Sequence, residues 1–154
     1  MKITYYYNSP IGTIKFICNE NFLEDMQFSD EVGKNSQCNS EIISTCKEQL
    51  DKYFDGKLKK FTIPLAFVRG TDFQRSVWKA LESIPYGETR SYKDIAKQIG
   101  NPKAVRAVGG ANNKNPIGIV IPCHRVIGSS GKLVGYAGGL YKKEMLLKLE
   151  GKKW

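Results

Sequence analysis

"SYKDIAKQIGNPKAVRAVGGANN", residues 91–113, holds two short apolar stripes separated by a Gly-Asn-Pro break, and that arrangement decides how the second half of the chain folds. Ser91 is a natural N-cap for a helix over residues 92–99, with Ile95, Ala96 and Ile99 facing inward and Gly100 as its stop. Asn101-Pro102 caps and opens the next helix through "KAVRAVGGANN", because the fixed φ of proline suits the first helical position. Two short helices joined by a tight turn make a helix-turn-helix candidate. Gly109 and Gly110 are costly inside a helix, about 0.8–1 kcal/mol each relative to alanine, so a close approach by another surface would explain them. That surface is either a packed neighbouring helix or, given Lys103, Arg106 and Lys114 nearby, a nucleic-acid backbone. Spacing alone leaves both open.

Downstream, "KNPIG" reads as a loop and "IVIP", residues 119–122, as a buried strand that ends at Cys123-His124. A thiol beside an imidazole becomes a nucleophile when the base can take its proton and a third group holds the base. Neighbours on an extended strand point to opposite faces, so this pair works together only if the chain turns there, and Pro122 favours such a turn. The alternative is a packed small thiol with a surface histidine. "GSSGKLVGYAGG" follows as a long loop, and "LYKKEMLLKLEG" as a terminal helix closed by Gly151.

Upstream, "GTDFQRSVWKALESIP" carries a helix capped by Thr71 or Asp72, with Phe73, Val77, Trp78, Leu81 and Ile84 as its buried stripe. The first thirty residues alternate as an antiparallel meander: "KITYYY", "TIKFIC" and "FLEDMQF" separated by turns. A helix over "NSEIISTCKEQLDKYFDGK" follows, capped by Asn39 or Ser40 and stopped by Gly56, and then one more strand, "KKFTIPLAF". The fold class is therefore α+β, with the one plausible boundary at residues 66–70, giving domains 1–67 and 68–154.

Composition narrows the function. With 24 Lys and Arg against 15 Asp and Glu, the net charge of +9 has no basic tail to account for it and favours an anionic partner. No stretch approaches the ~18 to 20 apolar residues of a membrane span, and "MKITYYYNSP" lacks the apolar region of a signal peptide, which points to the cytoplasm. Cys18, Cys38, Cys46 and Cys123 lack the density of a disulfide framework, and a single histidine does not supply the usual zinc patterns, so free thiols and no bound metal are expected.

Taken together, "SYKDIAKQIG", "RAVGGA", "NP", "IPCHRV", "GYAGG" and "LKLEG" closely resemble the catalytic domain of the O6-alkylguanine-DNA alkyltransferases, or methylated-DNA-protein-cysteine methyltransferases, over residues 71–151. The N-terminal part resembles that family's small ribonuclease-H-like domain in type only. The resemblance implies a winged-helix-like catalytic domain and direct repair without any cofactor. Cys123 takes the alkyl group from guanine O6, with O4-methylthymine as a second candidate substrate, and keeps it as a thioether, so each molecule acts once. His124 would activate the thiol through a water and Glu150 would orient the imidazole, while Asn115 helps hold the active-site segment. Tyr92 would crowd the phosphate and donate a proton to the leaving guanine.

The resemblance also implies a monomer that binds the minor groove of double-stranded DNA, close to the nucleoid of a prokaryote, and flips the damaged nucleotide into the protein. Arg106 would fill the gap in the stack, with Lys103, Ala107, Gly109, Gly110 and Arg125 on the DNA side. Tyr136, Ala137, Val126 and Gly118 would form the base pocket. Ala137 stands where some members have Ser and Gly118 where some have Pro, which leads to an expectation of retained methyl transfer and poor reaction with benzyl groups. Three rivals come from the sequence: a lesion-marking protein without chemistry, in which Trp usually replaces the nucleophile; a basic helix-turn-helix regulator, in which Cys123 would only sense alkylation or redox state; and a cysteine hydrolase that turns over.

Overall fold

The computed structural model describes residues 2–35 and 40–151. Strands β1 (Ile3–Ser9), β2 (Gly12–Cys18) and β3 (Leu23–Phe28) form an antiparallel sheet in that order, with Tyr5 opposite Phe16 and Phe16 opposite Met26. The expected alternation is present: Ile14, Phe16 and Cys18 of β2 are buried, and the residues between them are not. Helix α1 (Glu41–Phe54) buries Ile42, Ile43, Cys46, Leu50 and Tyr53. Ser40 is its cap, its hydroxyl accepting from Ile43 N–H, while Gly56 ends it in a left-handed conformation at φ 75°. Asn39, the alternative cap, and Cys38 lie outside the described residues.

Residues 59–67 are not the strand their alternation predicts. They make one parallel bridge, Leu23 with Leu65, through Leu23 N–H to Pro64 C=O at 2.8 Å and Ala66 N–H to Leu23 C=O at 3.0 Å. Pro64 has no N–H to give, which confines the pairing to that single step. Further along the same free edge of β3, Met26 N–H donates to Pro116 C=O at 2.9 Å and Gly118 N–H to Met26 C=O at 2.8 Å. One strand thus borrows neighbours from both halves of the chain.

The second half contains α2 (Asp72–Glu82), β4 (Arg90–Ser91), α3 (Tyr92–Gln98), α4 (Val105–Asn113), β5 (Val126–Ile127) and α5 (Leu140–Leu149). Both α2 and α3 open on reciprocal capping boxes, Thr71 with Gln74 and Ser91 with Asp94. Arg90 and Ser91 pair in parallel with Val126 and Ile127. The stripe expected for α2 is buried at Val77, Trp78, Leu81 and Ile84. Trp78 also meets Phe67 across the join, with ring centroids 5.2 Å apart.

Two expectations fail here. The helix expected to open at Pro102 begins at Val105, because Asn101 C=O accepts from Ala104 N–H at 3.0 Å and closes a Pro102-Lys103 turn first; Ala104, the actual cap residue, offers no side-chain cap. The run "IVIP" is a turn, with Val120 N–H on Gly118 C=O and Ile121 N–H on Ile117 C=O. Its apolar composition reflects the burial of Ile119 and Ile121 on either side of a half-buried Val120, a condition that a turn can meet as well as a strand when its carbonyls find partners.

Candidate active site

The turn at residues 117–122 is the device that presents Cys123 and His124 together. Ile119 sits at φ 70°, a conformation foreign to β-branched residues that costs on the order of 1–3 kcal/mol. Asn115 clamps this turn: its amide donates to Ile121 C=O at 2.8 Å and its side-chain oxygen accepts from Ile117 N–H at 3.0 Å. Gln27 of β3 secures Asn115 in turn by donating to its backbone oxygen at 2.8 Å. Cys123–Arg125 then form a single 3-10 turn, with Arg125 N–H on Pro122 C=O, and all three side chains are buried. Asn112 of α4 donates to Cys123 C=O at 3.3 Å.

From this turn His124 Nε2 reaches Glu150 Oε2 at 2.7 Å, with both side chains fully buried. A carboxylate only accepts, so Nε2 carries the hydrogen and Nδ1 holds the lone pair. Nδ1 bonds to no side chain or backbone group among the described residues. Glu150 caps the C-terminus of α5 and is held from several directions. Arg125 donates through Nε to Oε1 at 2.7 Å and through Nη2 to Oε2 at 3.0 Å, Tyr53 Oη donates to Oε2 at 2.6 Å, and Gly87 N–H donates to Oε1 at 3.3 Å.

The electrostatics follow from burial and these partners. Burial alone would raise the Glu150 carboxyl, but the bonds and charges of His124 and Arg125 hold it well below the usual carboxylate range. Burial lowers His124, against the pull of Glu150, and leaves the imidazole neutral at neutral pH. Burial also raises the Cys123 thiol; Asn115, the Lys143 ammonium and the nearby backbone N–H groups oppose it without prevailing. At rest the pair is therefore a neutral thiol and a neutral imidazole.

Most of the expected pocket residues converge on Cys123. Gly118, Tyr136 and Ala137 line a narrow pocket over it with Asn112, Asn115 and Phe28. Tyr92 approaches from α3, its hydroxyl donating to Val134 C=O at 2.8 Å, and burial keeps its phenol protonated. Val126 does not line this pocket: it is fully buried in β5, paired with Arg90.

On the outer side, Lys103, Arg106, Ala107 and Gly110 are exposed, and Gly109 is half-buried. A methyl group added at Gly110 would meet nothing within 4 Å, and one at Gly109 only the Tyr92 ring at 3.9 Å. The two glycines therefore do not serve internal helix packing. Arg125 must be moved from this face: it is buried, bound to Glu150 and to Ile84 C=O at 2.7 Å, because an unpaired guanidinium is not tolerated inside.

Three contributors lay outside the sequence reading. Tyr53 reads as one more apolar position on α1, and nothing local marks its hydroxyl. Gln27 sits on a strand of an apparently separate domain. Lys143 did leave a signal, since it falls three and four residues before the buried Leu146 and Leu147. It is fully buried, donating to Val134 C=O at 2.8 Å and Gly135 C=O at 3.1 Å, and burial brings its ammonium down to about 8. With Tyr92 it fastens the loop that carries Tyr136.

Residues 72–152 match the family described as the 6-O-methylguanine DNA methyltransferase, DNA binding domain, and residues 2–67 its ribonuclease-like domain. A methylated-DNA–protein-cysteine methyltransferase of Methanosarcina acetivorans is 54% identical over 96% of this chain and 98% of the relative. One from Mycobacterium tuberculosis is 49% identical over 93% and 88%. The crystal structure of the Mycobacterium tuberculosis O6-methylguanine methyltransferase superimposes with a TM-score of 0.88 at 46% identity, covering 97% of this chain and 93% of that one. The same protein in complex with DNA gives 0.86 at 47% identity, covering 97% and 91%.

Proposed function

The chain belongs to the 6-O-methylguanine DNA methyltransferase family and repairs DNA by alkyl transfer, and from that premise we propose that Cys123 is the acceptor, with His124 and Glu150 as its relay. The observation that carries the assignment is the 2.7 Å bond from His124 Nε2 to the buried Glu150, which leaves Nδ1 as the only basic nitrogen. In the reaction Nδ1 takes the Cys123 proton through a water, and Glu150 stabilises the imidazolium that forms. The sulfur makes a bond to the alkyl carbon while the bond from that carbon to guanine O6 breaks. The departing electron pair stays on the purine, which takes a proton from Tyr92 Oη; the phenol is then re-protonated from solvent as the His124 imidazolium gives its proton back to solvent, so no net proton is taken up.

Because a thioether is not readily hydrolysed, the transfer is stoichiometric and consumes the protein. Asn115 holds the turn that carries the nucleophile, and Tyr136, Ala137 and Gly118 wall the base pocket. One chain meets one lesion. The exposed face of α4 lies against the minor groove, Lys103 meets phosphate, Arg106 enters the stack, and Ala107, Gly109 and Gly110 leave the sugar-phosphate wall unobstructed. The damaged nucleotide rotates out of the duplex at a cost of a few kcal/mol.

The test is intact-mass measurement after incubation with an O6-methylguanine oligonucleotide under reducing conditions. The expected result is a gain of one methyl group per chain, mapped to Cys123 and absent in Cys123→Ser. Methyl on another side chain, or lesion removal continuing past one equivalent, overturns the assignment.

A further inference from the structure

One side chain reaches the relay from the N-terminal half of the chain. Tyr53, in the last turn of α1, donates its hydroxyl to Glu150 Oε2 at 2.6 Å, the same oxygen that accepts from His124 at 2.7 Å. The phenol is fully buried, with the rings of Phe54 and Phe61 both 5.2 Å away and that of Tyr86 at 6.3 Å. Nothing about packing requires a hydroxyl at this place, since a phenylalanine would fill the same volume among the same rings. Its one polar partner is the carboxylate oxygen that steers the imidazole.

We propose that Tyr53 is a positioning residue for alkyl transfer: its hydroxyl fixes Glu150 Oε2 against His124 and sets how strongly that oxygen draws a proton onto the imidazole. The inference rests on the relay assigned above. Oε2 has a limited amount of negative charge to share among its donors, so each bond it accepts weakens its hold on the others. Tyr53 and Arg125 Nη2 both compete with His124 for it. The charged groups acting on the imidazole are Glu150, the one anion, and Lys143, a cation, both from the last helix region, and Arg125, a cation of its own turn. Tyr86 and Tyr136 face the carboxylate as neutral phenols. Tyr53 is therefore the one phenol among them that is hydrogen-bonded to Glu150, and it ties the N-terminal half directly to the relay.

His124 is the chain's single histidine, so its imidazole can be titrated by nitrogen-15 NMR without ambiguity. In Tyr53→Phe, Oε2 is left with more charge for His124, and the imidazole midpoint moves up by about half a pH unit or more, roughly a threefold rise in proton affinity. The acid limb of the single-turnover methyl-transfer profile moves up with it. Site-specific 3-fluorotyrosine at position 53, a stronger donor of nearly the same shape, moves both the other way and keeps the test available if the phenylalanine variant does not fold. A titration that superimposes on the wild type, whether or not the rate falls uniformly, overturns the proposal. The imidazole readout does not depend on alkyl transfer, so a protein that fails to methylate Cys123 would sink the relay assignment and be recognised separately.

Discussion

At the scale of single residues, the site is organised around one carboxylate. Glu150 satisfies a buried guanidinium and a buried imidazole at once, so it cannot be neutralised without leaving a charge stranded. Glu150→Gln is expected to lose about 3–5 kcal/mol of stability through the uncompensated Arg125, and to slow methyl transfer by tenfold or more; urea unfolding and single-turnover kinetics check the two separately. The pH dependence has a definite sign. Glu150 titrates lower in the folded than in the unfolded chain, and so does His124. Each then binds more protons unfolded, and stability rises with pH across its window. The two contributions are complete above about pH 6.5, the ordinary imidazole value; His124's is lost as pH falls below it and Glu150's as pH falls through and below the carboxylate range. Urea midpoints should therefore fall steadily on acidification, and less steeply in Glu150→Gln. The contact between His124 and Glu150 was legible through the resemblance, whose "IPCHRV" and "LKLEG" segments carry the two residues. Arg125 was misplaced because a basic residue in a basic protein suggests an anionic partner, whereas its partner is inside.

At the scale of elements, sequence spoke clearly where local chemistry decides structure. The caps Thr71 and Ser91, the stop at Gly56 and the alternation of β2 each follow from a few neighbouring residues. It was misleading where one residue's hydrogen bonding overrides composition: residues 59–67 and 119–122 have strand-like composition, yet Pro64 limits one and the Asn115 clamp folds the other. Helix α4 gives a prediction that separates folding from function. A side chain at Gly110 meets nothing within 4 Å, so Gly110→Ala should stabilise the protein by about 0.8–1 kcal/mol through helix propensity alone. The same methyl group stands on the proposed DNA face and should weaken binding to a methylated duplex. Thermal unfolding and fluorescence anisotropy of a labelled duplex test both halves; tighter DNA binding by the variant would remove α4 from the interface.

At the scale of the whole molecule, two sequence regions that read as separate domains share a structural seam. Strand β3 pairs on its outer edge with Pro64 and Ala66 at one end and with Pro116 and Gly118 at the other, and Gln27 holds the Asn115 clamp. Isolated fragments 1–67 and 68–154 would each expose part of this seam, one as a bare strand edge and the other as an unsupported turn. Mixed after separate preparation, they should associate and recover methyl transfer, with the 68–154 fragment alone at least tenfold slower; full activity in that fragment would show that the seam is dispensable. Most proteins assembled from modules can exchange them over evolutionary time. Here the six residues of β3 answer to both halves at once, so a substitution in that strand is felt on both sides of the join, and exchanging either half for another module would have to preserve the same edge.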